Sequence, residues 1–127
     1  LIAVAHARSG DKGADANIGV RARDREFVPL LRAELTAARV ADWFAHRIEG
    51  PVHRYEVPGI DAFNFVLRDA LGGGGISSLR FDPQGKAYAQ QLLDMPIRVP
   101  TRWLVHPGLA ETPEVHRARD SAVDPIA

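Results

Sequence analysis

The chain has 127 residues, 46% of them hydrophobic and 25% charged, and its formal net charge at pH 7 is zero. These values predict a single soluble domain that buries about two-thirds of its unfolded surface. A neutral chain with intermixed acids and bases has no overall attraction to nucleic acid or to a membrane surface, so we expect neither partner. The chain has no cysteine, which excludes disulfides and thiolate chemistry and suits a cytoplasmic location.

No stretch of the chain predicts a membrane span or a secretion signal. No apolar run reaches the roughly 18 residues needed to cross a bilayer, and no signal peptide is visible. The chain begins at Leu1 rather than at Met. A targeting segment upstream of Leu1 therefore stays an open alternative.

Hydrophobic periodicity and capping residues predict the elements of the first half. In chain order they are a strand at residues 1–6, a strand at 18–23, a helix at about 26–34 and a helix at about 37–47. Asp24 and Thr36 are the expected N-caps of the two helices, because their side chains can accept from the first helical N–H groups. Gly50 and Pro51 end the second helix.

The second half predicts a hairpin, a helix and a last strand. The expected elements are strands at 52–57 and 62–67, a helix opened by Asp82 and Pro83, and a strand at 97–103. Pro58 and Gly59 supply the turn of the hairpin, although a helical turn stays an alternative at 62–67. Pro100 places the last strand at a sheet edge or bends it.

The predicted order is interpreted as βαββαβ, an α+β, ferredoxin-like arrangement with helices on one face of a mostly antiparallel sheet. The term describes topology only, since a chain without cysteine cannot ligate an iron–sulfur cluster. We assign residues 1–103 to this domain and 104–127 to a C-terminal tail. The tail is polar and aperiodic, so it wraps the domain, wraps a neighbouring subunit or is disordered.

The chain is organised around the polar stretch at residues 8–19. Its glycines permit close backbone approach to a ligand, and its charges suit a site for a carboxylate or phosphate. The candidate ligand-binding residues are Arg8, Ser9, Gly10, Gly13, Asn17 and Gly19, and the candidate catalytic residues are Asp11 and Lys12. Arg8 or Lys12 would supply the counter-charge, with Asp11 orienting Lys12 or acting as a base. The alternative is a turn with a local ion pair, Asp11 to Lys12 or Arg8 to Asp15.

A second candidate stretch is a run of four glycines followed by serines. Its candidate ligand-binding residues are Gly72, Gly73, Gly74, Gly75 and Ser77. Such a run can aim several N–H groups at an anion, or it can be a flexible connector. The spacing matches neither a P-loop nor a dinucleotide fingerprint, so no cofactor is predicted. Whether the two stretches meet in one subunit or across two stays open.

Asparagine and histidine supply further candidate site residues outside these stretches. Asn64 lies in an apolar strand and is either a structural hydrogen-bonding residue or part of the same site. The five histidines have no metal-ligand spacing, so no metal site is predicted. His6 directly precedes the polar stretch and is a candidate acid–base, with a plain strand residue as the alternative.

The motif Ala-Arg-Ser-Gly-Asp-Lys-Gly at residues 7–13, followed by Asn-Ile-Gly-Val at 17–20, resembles the opening of the AtuA-like domain. That domain is the C-terminal domain of acyclic terpene utilisation protein A and also occurs as small stand-alone proteins. The resemblance continues at residues 35–36, 52–58, 64–67, 70–75 and 79–86 and covers nearly all of 2–100. One departure is Ala14, where the family pattern has an acidic residue, with Asp15 as the nearest substitute.

The resemblance implies a ferredoxin-like fold and a bacterial setting of branched or terpenoid acyl-CoA breakdown. It supplies no established reaction, so no catalytic roles are transferred. Two functions remain: a domain that binds or converts an acidic metabolite or acyl-CoA, and a non-catalytic assembly module. The module would dock onto a larger AtuA-type subunit or form a homo-oligomer, which a neutral chain does not oppose.

Overall fold

A computed structural model describes residues 1–48, 50–70 and 87–122, with only the main chain of Lys12 and Ala122. Within these residues the chain forms four strands, four α-helices and three short 3-10 turns. The strands are β1 (Ala5–Lys12), β2 (Asp15–Ala22), β3 (Val52–Val57) and β4 (Ala62–Leu67). The helices are α1 (Val28–Glu34), α2 (Ala37–Trp43), α3 (Tyr88–Leu93) and α4 (Pro113–Ala122). The 3-10 turns lie at Arg25–Phe27, Pro58–Ile60 and Thr101–Val105.

The four strands form one sheet in the order β1-β2-β4-β3, and each neighbouring pair is antiparallel. The predicted α+β class with an antiparallel sheet is confirmed. The hairpin of β3 and β4 is also confirmed, with Val57 opposite Ala62 at its turn. Asp61 follows that turn with a φ of 55°, a left-handed conformation that Asp tolerates better than most side chains.

The helices cover one face of the sheet, as predicted. Alternate residues of β2, such as Ile18 and Val20, are fully buried, as are Phe63 and Phe65 of β4. They share a core with aromatic and aliphatic residues of the helical segments: Phe27, Leu31, Leu35, Val40, Phe44, Tyr88 and Leu92. Because successive strand residues point to opposite faces, the other face of the same strands carries the polar side chains.

The structure differs from the prediction at the polar stretch, residues 8–19. This stretch is not a loop between two strands but the body of a hairpin, since β1 runs to Lys12 and β2 starts at Asp15. Gly13 and Ala14 form a two-residue turn in which only Gly13 has a positive φ, of 65°. Positive φ at the first turn position alone is the pattern of a type II′ turn, whose twist suits a hairpin and which favours glycine there.

The strand predicted at 97–103 is absent from the described part of the sheet. Residues 96–100 have no regular structure, and Thr101–Val105 forms a 3-10 turn. Pro96 and Pro100 lack the N–H groups that a sheet ladder requires. Within the described residues the antiparallel sheet is therefore built with a different element order, ββααββαα.

Helix α2 starts where the sequence predicts but ends earlier, whereas α1 starts later than predicted and ends as predicted at Glu34. Thr36 Oγ1 accepts from Arg39 N at 3.1 Å and caps α2, and Asp24 Oδ1 accepts from Glu26 N at 2.9 Å. The helix after Asp24 opens as a 3-10 turn, and α1 proper begins at Val28. The second helix ends at Trp43, four residues before the predicted end.

Residues 104–122 pack on the domain and include a helix that the sequence did not predict. Leu109 and Val115 belong to the common core, and Ala110 N donates to Ala3 O at 2.9 Å. Thr112 Oγ1 accepts from Val115 N at 3.1 Å and so caps α4. No helix in the described ranges is long and apolar enough to traverse a bilayer.

Candidate functional site

The face of the sheet opposite the helices, called here the open face, brings several predicted site residues together. The cross-strand register places Arg8 opposite Gly19, Gly19 opposite Asn64, and Asn64 opposite Tyr55. Directly opposite residues project to the same face, so these four form one row across the sheet. Arg8, Gly19 and Asn64 were all site candidates from the sequence, and antiparallel pairing makes neighbours of Gly19 and Asn64, which are 45 positions apart.

A shallow depression of about 370 Å³ lies on the open face over β1, β2 and the start of β4. The side chains and main chain around it belong to His6, Ala7, Arg8, Gly19, Val20, Arg21, Ile60 and Ala62. His6 lies opposite Arg21 in the register, and Arg8 lies diagonally across from Arg21. The depression is thus flanked by two guanidinium groups and has a floor of small residues.

The two arginines have no hydrogen-bond or ion-pair partner for their side chains among the residues that the structure describes. Several other arginines in those ranges are paired: Arg68 pairs with Asp15 at 2.8 Å, and Arg32 with Glu56 at 2.7 Å. Arg8 and Arg21 are both exposed on the open face. Two unpaired guanidiniums on one face create a positive potential that favours an anion.

His6 strengthens this reading of the electrostatics. Its Nε2 lies 3.3 Å from Arg23 Nη1. Burial lowers the pKa of His6, and the charges of Arg23 and Arg21 lower it further. The opposition of Arg21 and Arg23 to protonation of His6 agrees with a positive potential at this end of the open face.

Asn17 and Asn64 lie on the open face beside the depression rather than in it. Asn17 is opposite Gly10 and Asn64 is opposite Gly19, and both side chains are half-buried. Within the described ranges neither carboxamide makes a hydrogen bond from its side chain. Each can therefore donate to or accept from a ligand that extends beyond the depression.

Ser9 and Asp11 project to the opposite face from Arg8, because adjacent strand residues alternate. Ser9 Oγ accepts from Ala89 N at 2.9 Å, at the start of α3. The residue before α3 is Ala87, which has no side-chain acceptor, so Ser9 supplies the cap from β1. The structure does not bring Ser9 or Asp11 together with Arg8.

The remaining predicted site residues lie in the hairpin turn, in β1 or outside the described residues. Gly13 forms the hairpin turn, and Gly10 lies in β1 opposite Asn17. The side chain of Lys12 and the whole of Gly72, Gly73, Gly74, Gly75 and Ser77 lie outside the described residues, as do Asp82 and Pro83. Their roles stay predictions.

Sequence reasoning missed two features of the site region. Arg21 was not a candidate, although it lies two residues from Gly19 and so shares its face; strict alternation along β2 was the available signal. Asp15 was expected to pair with Arg8 if the stretch were structural. Instead its carboxylate accepts from Arg68 at 2.8 Å and from Asp69 N at 2.9 Å, contacts made across 53 and 54 residues.

A second cluster of metal-ligand type, Asp24, Glu26 and His106, lies at the junction with the C-terminal segment. His106 Nδ1 accepts from Gly108 N at 2.9 Å, so the proton of a neutral ring is on Nε2, which lies 3.1 Å from Glu26 Oε2. A metal on Nε2 would require a proton on Nδ1, facing the Gly108 N–H. The cluster is therefore explained as a structural latch, with the His106 ring 4.7 Å from that of Phe27.

Comparison with known proteins gives one finding. A family model described as the AtuA ferredoxin-like domain matches residues 1–98. This range contains all four strands, α1 to α3 and the depression, and it stops before the segment at 104–122. No curated protein and no solved structure matches the chain.

Proposed function

The chain belongs to the AtuA ferredoxin-like domain family, and we propose that it binds a small organic acid on the open face of its sheet. The observation that carries the proposal is the pair Arg8 and Arg21, which flank a depression of about 370 Å³ without partners among the described residues. Guanidinium groups bind carboxylates through two parallel hydrogen bonds. A volume of this size is that of small-molecule sites.

The floor of the depression supports a ligand with a hydrocarbon body. Gly19, Ala62 and Ile60 offer small or apolar surface between the two arginines. A Cβ added at Gly19 would meet nothing nearer than Arg8 O at 4.0 Å, so the space above Gly19 is open to a ligand. A carboxylate anchored by an arginine would then place an alkyl group over this floor.

The family resemblance adds the substrate class. It implies the breakdown of branched or terpenoid acyl-CoA compounds, so branched carboxylic acids and their CoA thioesters are the proposed ligands. The arginines would hold the carboxylate of the acid or a phosphate of CoA. Asp11 and Lys12 stay candidate catalytic residues, and no reaction step is assigned to them.

The test is a thermal-shift and calorimetric titration with branched short-chain carboxylates, CoA, acyl-CoAs and inorganic phosphate. A ligand at a hundred times its Kd adds about 2.7 kcal/mol of stability. Arg8→Ala and Arg21→Ala should each weaken binding roughly 10- to 150-fold, since a charged hydrogen bond contributes about 1.5–3 kcal/mol. Gly19→Leu should block binding by filling the depression.

Arg117→Ala is the matched control, because it removes the same charge from an exposed position on α4, outside the open face. Its affinity should equal that of the wild type. Binding that survives both Arg8→Ala and Arg21→Ala would refute the proposed site.

A second candidate function, assembly, is favoured by exposed apolar residues at the far edge of the sheet. Tyr55 and Val57 are 52% and 39% exposed. Both lie in β3. They would cover a larger AtuA-type subunit or a second copy of the chain, and light scattering across a concentration series separates a self-associating chain from one that requires another protein.

A further inference from the structure

Among the described residues, strand β3 is an edge of the sheet, with β4 on one side only. Arg68 N donates to Pro51 O at 3.0 Å, and this pair continues the β3–β4 register. In an antiparallel ladder the hydrogen-bonded pairs alternate, so residues 53, 55 and 57 also direct their main-chain groups at β4. The N–H and C=O groups of Val52, Arg54 and Glu56 therefore point away from the sheet.

We propose that two copies of the chain pair through β3 in an antiparallel arrangement centred on Tyr55. This proposal rests on the assembly function above and names a second copy of the chain as the partner. An outward edge with exposed apolar residues and no internal proline is a template for such pairing. His53, Tyr55, Glu56 and Val57 are all exposed. The pairing would join two four-stranded sheets into one of eight strands.

The charges of Arg54 and Glu56 favour one alignment of the two β3 strands over the others. Hydrogen-bonded pairs between the copies must join outward-pointing residues, which leaves few alignments of a six-residue strand. Centring on Tyr55 places Arg54 opposite Glu56 of the second copy, twice by symmetry, and opposite charges across strands are favourable. A register centred on Arg54 places Arg54 opposite Arg54 of the second copy, and one centred on Glu56 places Glu56 opposite Glu56. Like charges directly opposite each other are destabilising.

The Tyr55 register also agrees with the side chains around it. Glu56 already pairs with Arg32 at 2.7 Å, and Nη1 of Arg54 donates to Arg32 O and to Leu35 O. In the paired sheet Glu56 would lie between Arg32 and Arg54 of the second copy. On the open face, Tyr55 would meet its own copy in a non-hydrogen-bonded pair, where side chains approach most closely. About four main-chain hydrogen bonds would join the two strands.

The depression between Arg8 and Arg21 lies over β1, β2 and the start of β4, and none of its lining residues belongs to β3. Pairing through β3 leaves it open. The two proposals can therefore fail separately.

A cysteine-free chain permits a direct test by disulfide formation. Tyr55→Cys should give a covalent dimer under mild oxidation, because the Cα atoms of a non-hydrogen-bonded pair lie about 4.5 Å apart, within disulfide range. His53→Cys alone should not, since its copy is displaced by four residues, roughly 13 Å. A mixture of His53→Cys with Val57→Cys should form a heterodimer, as these positions face each other. Light scattering of the wild type should show twice the chain mass of 13.9 kDa at high concentration.

Two outcomes overturn the proposal. Stronger cross-linking in a mixture of His53→Cys and Tyr55→Cys would indicate pairing centred on Arg54 and so refute the charge argument. A wild type that stays at the single-chain mass, with no Tyr55→Cys dimer, would leave the edge to another protein. Ligand titration of the Tyr55→Cys variant reports on the depression independently, so loss of pairing with retained binding removes only the pairing of two copies.

Discussion

Replacing Ser9 by alanine tests the division of the first hairpin into two functional faces. Ser9 Oγ is the acceptor for Ala89 N at 2.9 Å, and Ala89 is 1% exposed. Ser9→Ala removes this acceptor at the start of α3. Losing an N-cap acceptor costs about 1 kcal/mol, and leaving a buried N–H unpaired costs about 1–3 kcal/mol. We expect a loss of about 1–2 kcal/mol in the free energy of unfolding.

The assay is urea denaturation followed by circular dichroism, supported by a melting curve in which the Tm falls by roughly 3–8 °C. Asn17→Ala is the matched control, because Asn17 lies on the open face of the same hairpin and its side chain has no partner in the described ranges. It should change stability by less than about 0.5 kcal/mol. Equal stability of Ser9→Ala and wild type, or a loss of ligand affinity in Ser9→Ala alone, would refute the structural role of Ser9.

Two further predictions concern main-chain crowding and pH. A Cβ at Gly50 would lie 2.6 Å from Arg68 O, whereas a Cβ at Gly59 would meet nothing within 4 Å. Gly50→Ala should therefore lose about 1–3 kcal/mol in urea denaturation, and Gly59→Ala should not; the reverse order would contradict this packing. His6 has a lowered pKa in the folded chain, so its contribution to stability is present above the unfolded value of about 6.5 and is lost as the pH falls below it. Denaturation curves should show a smaller acid-side loss for His6→Asn than for wild type, and an identical pH profile would count against the shift.

The predictions that the structure confirms rest on interactions between residues that are close in sequence. Thr36 caps α2 through an N–H three residues away, and the apolar and polar alternation of β2 needs only neighbouring positions. The sheet class followed from these elements and agrees with the family match. The end of α2 was less predictable, since this helix stops at Trp43 although apolar residues continue at Phe44 and Ile48.

The polar hairpin was misread because both of its faces carry polar residues for different reasons. Arg8 is polar because the open face meets water, whereas Ser9 is polar because it caps a helix 80 residues later. With polar groups on both faces, the two-residue period of a strand disappears from the sequence. The turn itself, Gly13 and Ala14, lacks the Asn-Gly or Asp-Gly pair that marks most two-residue hairpins.

The candidate site was predicted in part. Arg8, Gly19 and Asn64 were selected for their chemistry, and the sheet register places them in one row. Arg21 and Ile60 belong to the same depression but carry no motif of their own. Their place depends on long-range pairing between β2 and β4, which a single sequence does not specify.

The packing of residues 104–122 has a consequence for the synthesis of the chain. Leu109 and Val115 share a core with Val4, and Ala110 N donates to Ala3 O, so segments about 110 residues apart in sequence lie against each other. At about 5–20 residues per second, Val115 follows Val4 by on the order of 10 s. During that interval the apolar surface that Leu109 and Val115 cover in the folded domain lacks these two residues. The domain therefore completes its core only after Val115 has been synthesised, and until then the nascent chain exposes apolar surface of the kind that chaperones bind.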